Sequence, residues 1–380
     1  EMGLTAIEAA DRAAADRYLS AALDRFAEIV SDHPSIEWIE RTQGGDWDSE
    51  RWKLTGASQR SISGNRKSII EYLGDLMNLK LSNPRSRPAH LASFEAPEGI
   101  TAKCLKLAGA TGDLVAERDP GLAVYHVAMP AVEAGQVMSF EATELSDAGT
   151  AEGISATESD GEVEIGLGGS HLMTFRYGAD YPKPVINPIL TPGGTNMLRE
   201  PMGAWVDGEH PWQRGLTLMQ GAINGIDCWN EKTPEEFGRT EQDAIDVDRG
   251  PLSLTIASEN SWYVDNRKLM TDSRSYRLFD TDRNAAILDI ALTLKASEGD
   301  VTIGDTKEGG FLCIRVNPTM NAKDGGTMRN AYGASDEKGC WSLPSHWMDY
   351  YGPVGSETVG FSIFDHPKNF RYPTTWHTRG

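Results

Sequence analysis

From about residue 95 onward, apolar residues recur at every second position along this chain, and that period dictates β-strands. Stretches 124–129, 138–143, 172–177, 252–257, 288–295, 311–316 and 359–364 all alternate in this way. One face of each is apolar and the other more polar, as in a strand buried on one side. Met173, Phe175 and Tyr177 share a face, as do Leu288, Ile290, Leu292 and Leu294. Leu312, Ile314 and Val316 alternate with Phe311, Cys313 and Arg315. Gly- and Asp-rich turns separate these stretches, and 39 glycines and 19 prolines supply them. Many short strands without helices between them predict a mainly β fold, an antiparallel β-sandwich. The acidic, small-residue stretch 146–162 reads as an exposed loop.

The N-terminal part has a different period. Thr5 and Glu8 stand at capping-box spacing. Leu19, Leu23, Phe26 and Val30 then form a stripe at helical spacing, and Ile69, Leu73 and Leu76 suggest a second helix over 65–79. Residues 81–90, "LSNPRSRPAH", carry proline and turn signals and read as a linker. The expected organisation is therefore a short α-helical N-terminal region, 1–85, of unassigned role, followed by a β-sandwich domain over 95–380.

Charge limits the partners. With 56 acidic and 36 basic residues the net charge is −20. Phosphate binding requires a cationic footprint, so nucleic acid and anionic membranes are not expected partners. A neutral or cationic small molecule suits this field. No apolar run has the length of a membrane span. The start at Glu1 has neither the basic nor the apolar region of a signal peptide, so a soluble protein is expected, cytoplasmic if the N-terminus is complete. Cys104, Cys228, Cys313 and Cys340 are widely spaced with no Cys-x-x-Cys pair, which predicts free thiols and no zinc ribbon.

Chemistry-bearing residues concentrate between the strands or at their ends. The segments are "GEHPWQRG" (208–215), "NGIDCWNE" (224–231), "SENSWY" (258–263), "GDTKEGG" (304–310), "HWMDYYGP" (346–353), "FDHPKNFRYP" (364–373) and "WHTRG" (376–380). They hold Trp212, Trp229, Trp262, Trp347 and Trp376 among carboxylates, amides, His and Arg. Sugar-binding clefts have this composition: aromatic faces stack on the apolar side of a pyranose while polar groups bond its hydroxyls. Turn-rich β proteins also use such residues to lock loops. The crowding of Asp305, Lys307 and Glu308 at the mouth of the 311–316 strand suggests that several strand mouths meet in one polar, aromatic-lined cleft.

In this order the segments resemble a bacterial family of unknown function labelled PmoA-like or "methane oxygenase". The resemblance rests on "TPGG" at Thr191, "HPWQRG" at His210, "NGIDCW" at Asn224, "GDTKEG" at Gly304, "WMDYYG" at Trp347, "DHPKN" at Asp365 and "WHTR" at Trp376. It covers roughly residues 95–380. Trp212 and Gln213 stand where the family pattern has paired His, which removes two potential metal ligands. The resemblance implies a soluble β-sandwich, with a large mutarotase-like supersandwich as one form, accompanying bacterial sugar and glycan catabolism. Methane oxidation is rejected, because the chain has no membrane span and no Cys/Met/His copper pattern.

Three readings follow. The first is a carbohydrate-active enzyme, a hydrolase, lyase or epimerase, using general acid/base chemistry. Its candidate catalytic residues are Glu308, Asp305, Lys307, His210, His366 and His377. Candidates for substrate binding are Arg214, Asn224, Trp229, Asn260, Trp262, Trp347, Asp349, Tyr350, Asp365, Asn369, Trp376 and Arg379. Asp349 and Asp365 also qualify as acid or base, and Arg214 and Arg379 as clamps on a substrate carboxylate. The second reading is a non-catalytic carbohydrate-binding module, distinguished by carboxylates whose pKa is not tuned. The third is a metal-dependent enzyme with His210, His366 and His377 as ligands. The first two need no cofactor or metal; their partner is a small-molecule or oligosaccharide ligand.

Overall fold

The computed structural model describes residues 70–73, 76–82, 89–97, 99–191, 193–203, 210–232, 235–280, 285–306 and 309–379. Two compact units emerge. One is built from Thr150–Asp365 and Asn369–Gly380, the other from the described residues up to Gly149 together with His366–Lys368.

In the smaller unit seven antiparallel strands form one sheet. Numbered in chain order, they are β1 (Ile70–Leu73), β2 (Leu76–Ser82), β3 (His90–Glu95), β4 (Cys104–Gly109), β5 (Gly112–Arg118), β6 (Val124–Met129) and β7 (Val137–Leu145), in the sheet order β1-β2-β7-β4-β5-β6-β3. The alternation of β6 and β7 sends Tyr125, Val127, Met129, Met138, Phe140 and Ala142 into one cluster with Leu79, Leu105 and Leu107. Phe94 stacks on Tyr125 with ring centroids 5.6 Å apart.

The expected helix over 65–79 is overturned where the structure describes it. Residues 70–73 and 76–82 are paired strands, with Leu73 opposite Leu76, and β2 continues into the sheet beside β7. Ile69, Leu73 and Leu76 do fit a helical stripe. The contrary sign is Gly74-Asp75, a two-residue hairpin signal between apolar runs. The expected helix near the N-terminus lies outside the described residues. The two units divide at Gly149/Thr150, whereas the sequence suggested one β domain starting near 95.

The larger unit is a sandwich with a satellite sheet. Six strands, β8 (Ile154–Ser159), β9 (Glu162–Leu167), β10 (Ser170–Arg176), β11 (Val185–Ile189), β12 (Leu216–Gln220) and β17 (Gly309–Ile314), form one sheet in the order β17-β12-β11-β10-β9-β8. Four long strands, β13 (Arg239–Arg249), β14 (Ser253–Val264), β15 (Arg267–Phe279) and β16 (Ile287–Lys295), form a second. Val163, Ile165, Met173, Phe175, Ile186, Leu216 and Leu218 of the first pack with Leu254, Ile256, Tyr276 and Leu278 of the second. That shared core is the sandwich predicted from the period of two. The loop expected over 146–162 contains β8 instead, and Ile154 is buried in this core at 1% exposure. β17 is covered on both faces: Leu312 and Ile314 pack on the main core, Cys313 on a second cluster around Trp229 and Trp262.

The third sheet consists of β18 (Thr327–Asn330), β19 (Trp347–Val354) and β20 (Glu357–Phe364), with the one-turn helix α1 (Asp336–Cys340) between β18 and β19. Gly360 pairs with Tyr351, and a Cβ built on it would lie 2.5 Å from the Tyr351 Cβ and 2.6 Å from the Tyr350 carbonyl oxygen. Only glycine allows that approach. The four cysteines are free thiols, as expected. No helix among the described residues is long and apolar enough to cross a membrane.

Candidate functional site

The motif segments assemble as two groups, each with its own frame. The first gathers at the end of β12. The Gln220 side chain donates to the Gly304 carbonyl (3.1 Å), and the Gly304 N–H donates to Ala222 O (2.9 Å). Asn224, in the left-handed region at φ 52°, accepts the Thr302 N–H on its side-chain oxygen (2.7 Å). Asn224 is thus a turn strut. Asp305 follows this join and is exposed, while Lys307 and Glu308 lie outside the described residues. At the strand mouth Met219 pairs with Phe311 and Gln220 with Gly309, a bulge that leaves Phe311 at φ 67°. A bulky residue there is strained, and such strain clusters at functional positions.

Nearby, Arg214 Nε donates to Glu231 Oε2 (2.7 Å), whose Oε1 lies 3.0 Å from Lys183 Nζ. Lys183 also donates to the Trp229 carbonyl (2.9 Å) and lies over that ring at 4.9 Å. Lys183 is sealed from water, and desolvation pushes its pKa down against the pull of Glu231. Arg214 is therefore committed to a buried carboxylate of the chain itself. His210 is exposed, with its ring edge-on to Trp212 at 5.2 Å.

Three expected binding residues belong to the core. Trp229 is 1% exposed, and Trp262 and Asn260 are 0% exposed. Trp262 Nε1 donates to Asp272 Oδ2 (2.6 Å) and Asn260 Nδ2 to Asp272 Oδ1 (2.7 Å). "SENSWY" is the C-terminal half of β14, and there the side chains of Asn260 and Trp262 face inward and present no surface to a ligand.

The second group surrounds β18–β20. Asp365 is buried and accepts from Asn369 Nδ2 (2.8 Å) and the Thr374 N–H (2.7 Å), so it clamps the turn after β20, with Asn369 itself exposed. His366 Nδ1 accepts the Lys368 N–H (3.2 Å), and these residues group with the smaller unit. Trp376 Nε1 donates to the Ser345 carbonyl (2.7 Å). His377 packs on Trp341 (4.4 Å), which Arg379 also covers (4.7 Å) while lying 3.4 Å from Glu337. Tyr350 turns toward the Met320 and Met328 clusters, away from the face carrying Asp349. Tyr332 Oη lies 3.0 Å from His346 Nε2, and burial lowers the His346 pKa.

Among the described residues no three His, Cys, Asp or Glu side chains are grouped to hold a metal ion. The metal alternative built on His210, His366 and His377 therefore finds no such grouping.

What remains is one face of the third sheet. Trp347, Asp349 and Tyr351 alternate along β19, and Asp349 is flanked by Arg329 on β18 and Ser362 on β20. Ser362 Oγ donates to Asp349 Oδ1 (2.9 Å). Asp349 is 8% exposed, and burial pushes its pKa up, opposed by the Ser362 bond and the Arg329 charge. The Arg329 guanidinium lies 5.8 Å from the Tyr351 ring centre. This face thus combines a buried acid, an exposed cation, a hydroxyl, the half-buried Tyr351 ring and, at 6% exposure, the Trp347 ring. Trp347 and Asp349 were legible from "WMDYYG". Arg329 and Ser362 were not, since only cross-strand register brings them there; Tyr351, in the same motif, was missed in favour of Tyr350, although alternation along β19 puts it on the Asp349 face. Lys183 and Glu231 were also missed. Lys183 in "YPKPVINP", a lone charge in an apolar proline-rich run, was the available signal.

The fold is that of a multi-sheet antiparallel β protein with a small satellite sheet. The chain belongs to a family described as a family of unknown function, DUF6807, which matches residues 162–380. The match starts at β9 rather than near residue 95, and nothing in it links the chain to a methane oxygenase. No curated protein matches the chain.

Proposed function

We propose that the β18–β20 face binds a sugar and that Asp349 acts on it as a general acid/base. The observation that carries this reading is a buried carboxyl, raised in pKa, flanked by Arg329 and Ser362 and two residues along its strand from the Tyr351 ring. A carboxyl held toward its protonated form can serve as a proton donor. Arg329 and Ser362 supply donors for hydroxyl or carboxylate oxygens, and the half-buried Tyr351 ring supplies the aromatic surface, with Trp347 buried beneath the row at 6% exposure. Asp349 is the one carboxylate of its three-strand rung, which favours proton transfer at a single ring carbon over hydrolysis by a facing pair.

The test is a binding and turnover screen against mono- and oligosaccharides, uronates included, with Asp349→Asn and Glu308→Gln beside the native chain. The expected result is turnover lowered roughly 10²- to 10⁴-fold in Asp349→Asn, with binding retained. Sugar binding without turnover, equal in all three proteins, would make this a carbohydrate-binding module. Absence of any sugar interaction would refute the ligand class.

A further inference from the structure

The smaller unit, outside the family match, holds a second constellation. Ser93 on edge strand β3 and His126 on β6 are cross-strand partners. Ser93 Oγ lies 2.8 Å from His126 Nδ1, and His126 Nε2 lies 3.2 Å from Asp119 Oδ2. The other Asp119 oxygen accepts the N–H groups of Gly121 and Leu122, both at 2.8 Å, which fixes the carboxylate. The His126 side chain is 4% exposed and that of Asp119 15%, while Ser93 is half-buried.

We propose that Ser93, His126 and Asp119 form a nucleophilic triad that hydrolyses esters of short-chain carboxylic acids. The carboxylate at Nε2 holds the ring proton there, which leaves the Nδ1 lone pair facing the Ser93 hydroxyl. These are the roles of a Ser-His-Asp triad with the two ring nitrogens exchanged. The ladder supports the placement. The Ala96 N–H donates to Ala123 O (2.7 Å), which makes that pair a hydrogen-bonded rung. Rungs alternate, so Ser93 and His126 occupy a non-hydrogen-bonded one. Their side chains are therefore close, and the Ser93 amide points away from β6. The near-sealed imidazole beside a half-buried hydroxyl suits a small acyl group.

The chemistry balances without a co-reactant other than water. Ser93 Oγ bonds to the acyl carbon as its proton passes to His126 Nδ1. The C–O bond to the alcohol breaks, and the alcohol leaves with that proton. Water then gives a proton to Nδ1, its oxygen bonds to the acyl carbon, and Ser93 departs reprotonated.

The experiment treats the full chain with a fluorophosphonate probe and with p-nitrophenyl acetate, and maps the adduct by peptide mass spectrometry. The expected adduct is on Ser93. Ser93→Ala should lose both label and turnover with an unchanged melting temperature. Asp119→Asn can still cap Gly121 and Leu122 and should slow labelling by roughly 10²- to 10⁴-fold. An unlabelled Ser93 in the folded native protein, or equal labelling rates in native and Asp119→Asn proteins, overturns the proposal. The mapped adduct and these two variants decide the matter even if His126→Gln fails to fold.

Discussion

At the residue scale the most informative side chain is Asp349. Burial raises its folded-state pKa above the unfolded carboxyl value of about 3.9. Between those two values the folded state binds more protons than the unfolded state. Stability therefore falls as pH rises through that window and stays lower above it. Asp349→Asn retains the Ser362 bond and removes the charge that burial penalises. It should melt higher than the native chain at pH 8, with the difference shrinking toward pH 3, while turnover is lost. A melting difference independent of pH would show that Asp349 is not the titrating group. In the native protein, activity that uses the protonated acid should decline as pH rises past the elevated value. The motif revealed this residue but not its tuning, because both the burial and the Arg329 and Ser362 partners come from register. Trp262 and Asn260 illustrate the converse error. A Trp beside an Asn reads as a sugar site, but the same residues also satisfy a buried carboxylate.

At the element scale the β14–β15 hairpin carries that carboxylate in a polar layer between apolar rungs. Leu254, Ile256, Tyr276 and Leu278 pack at one end and Trp262 and Met270 at the other. Between them Arg274 donates from Nε (2.9 Å) and Nη2 (2.7 Å) to Asp272, and both side chains are 0% exposed. Asp272→Ala leaves a buried guanidinium without its counter-charge and should cost about 3–5 kcal/mol in urea unfolding. A loss below about 1 kcal/mol would mean that the layer is not held by this pair. Gly360→Ala tests the third sheet in the same way. Its Cβ would meet backbone as well as the Tyr351 side chain, so a loss of about 1–3 kcal/mol is expected, with sugar binding weakened because the Tyr351 ring is displaced. Every alternating stretch lies within a strand or extends one, whereas β1, β2 and β8 read as helix or loop. Strand length was not readable. β14 runs to Val264, although the alternation was followed only to residue 257, because buried Ser, Asn and Trp interrupt a simple polarity pattern.

On the scale of the whole molecule, the boundary of the family match and that of the folded unit differ. The match begins at Glu162, the first residue of β9, whereas the compact unit begins at Thr150. The intervening residues include β8, paired with β9 from Ile154↔Leu167 to Ser159↔Glu162. They also place Ala151 and Ile154 in the sandwich core, and Gly153 donates its N–H to Asp280 (3.0 Å) beyond the end of β15. The acidic composition of this stretch disguised it as an exposed loop, although Ala151 and Ile154 anchor it inside. A fragment of residues 150–380 should therefore unfold cooperatively in guanidinium. A fragment of residues 162–380 loses one edge strand and a buried Ile, and should be less stable by at least about 2–5 kcal/mol. If the two fragments unfold at the same denaturant concentration, β8 contributes nothing and the domain begins where the family match does. If the shorter one alone exposes apolar surface to a reporter dye, β8 is part of the fold that supports the third sheet. Sugar binding measured on the same fragments then reports whether the β18–β20 face functions without the seven-stranded unit.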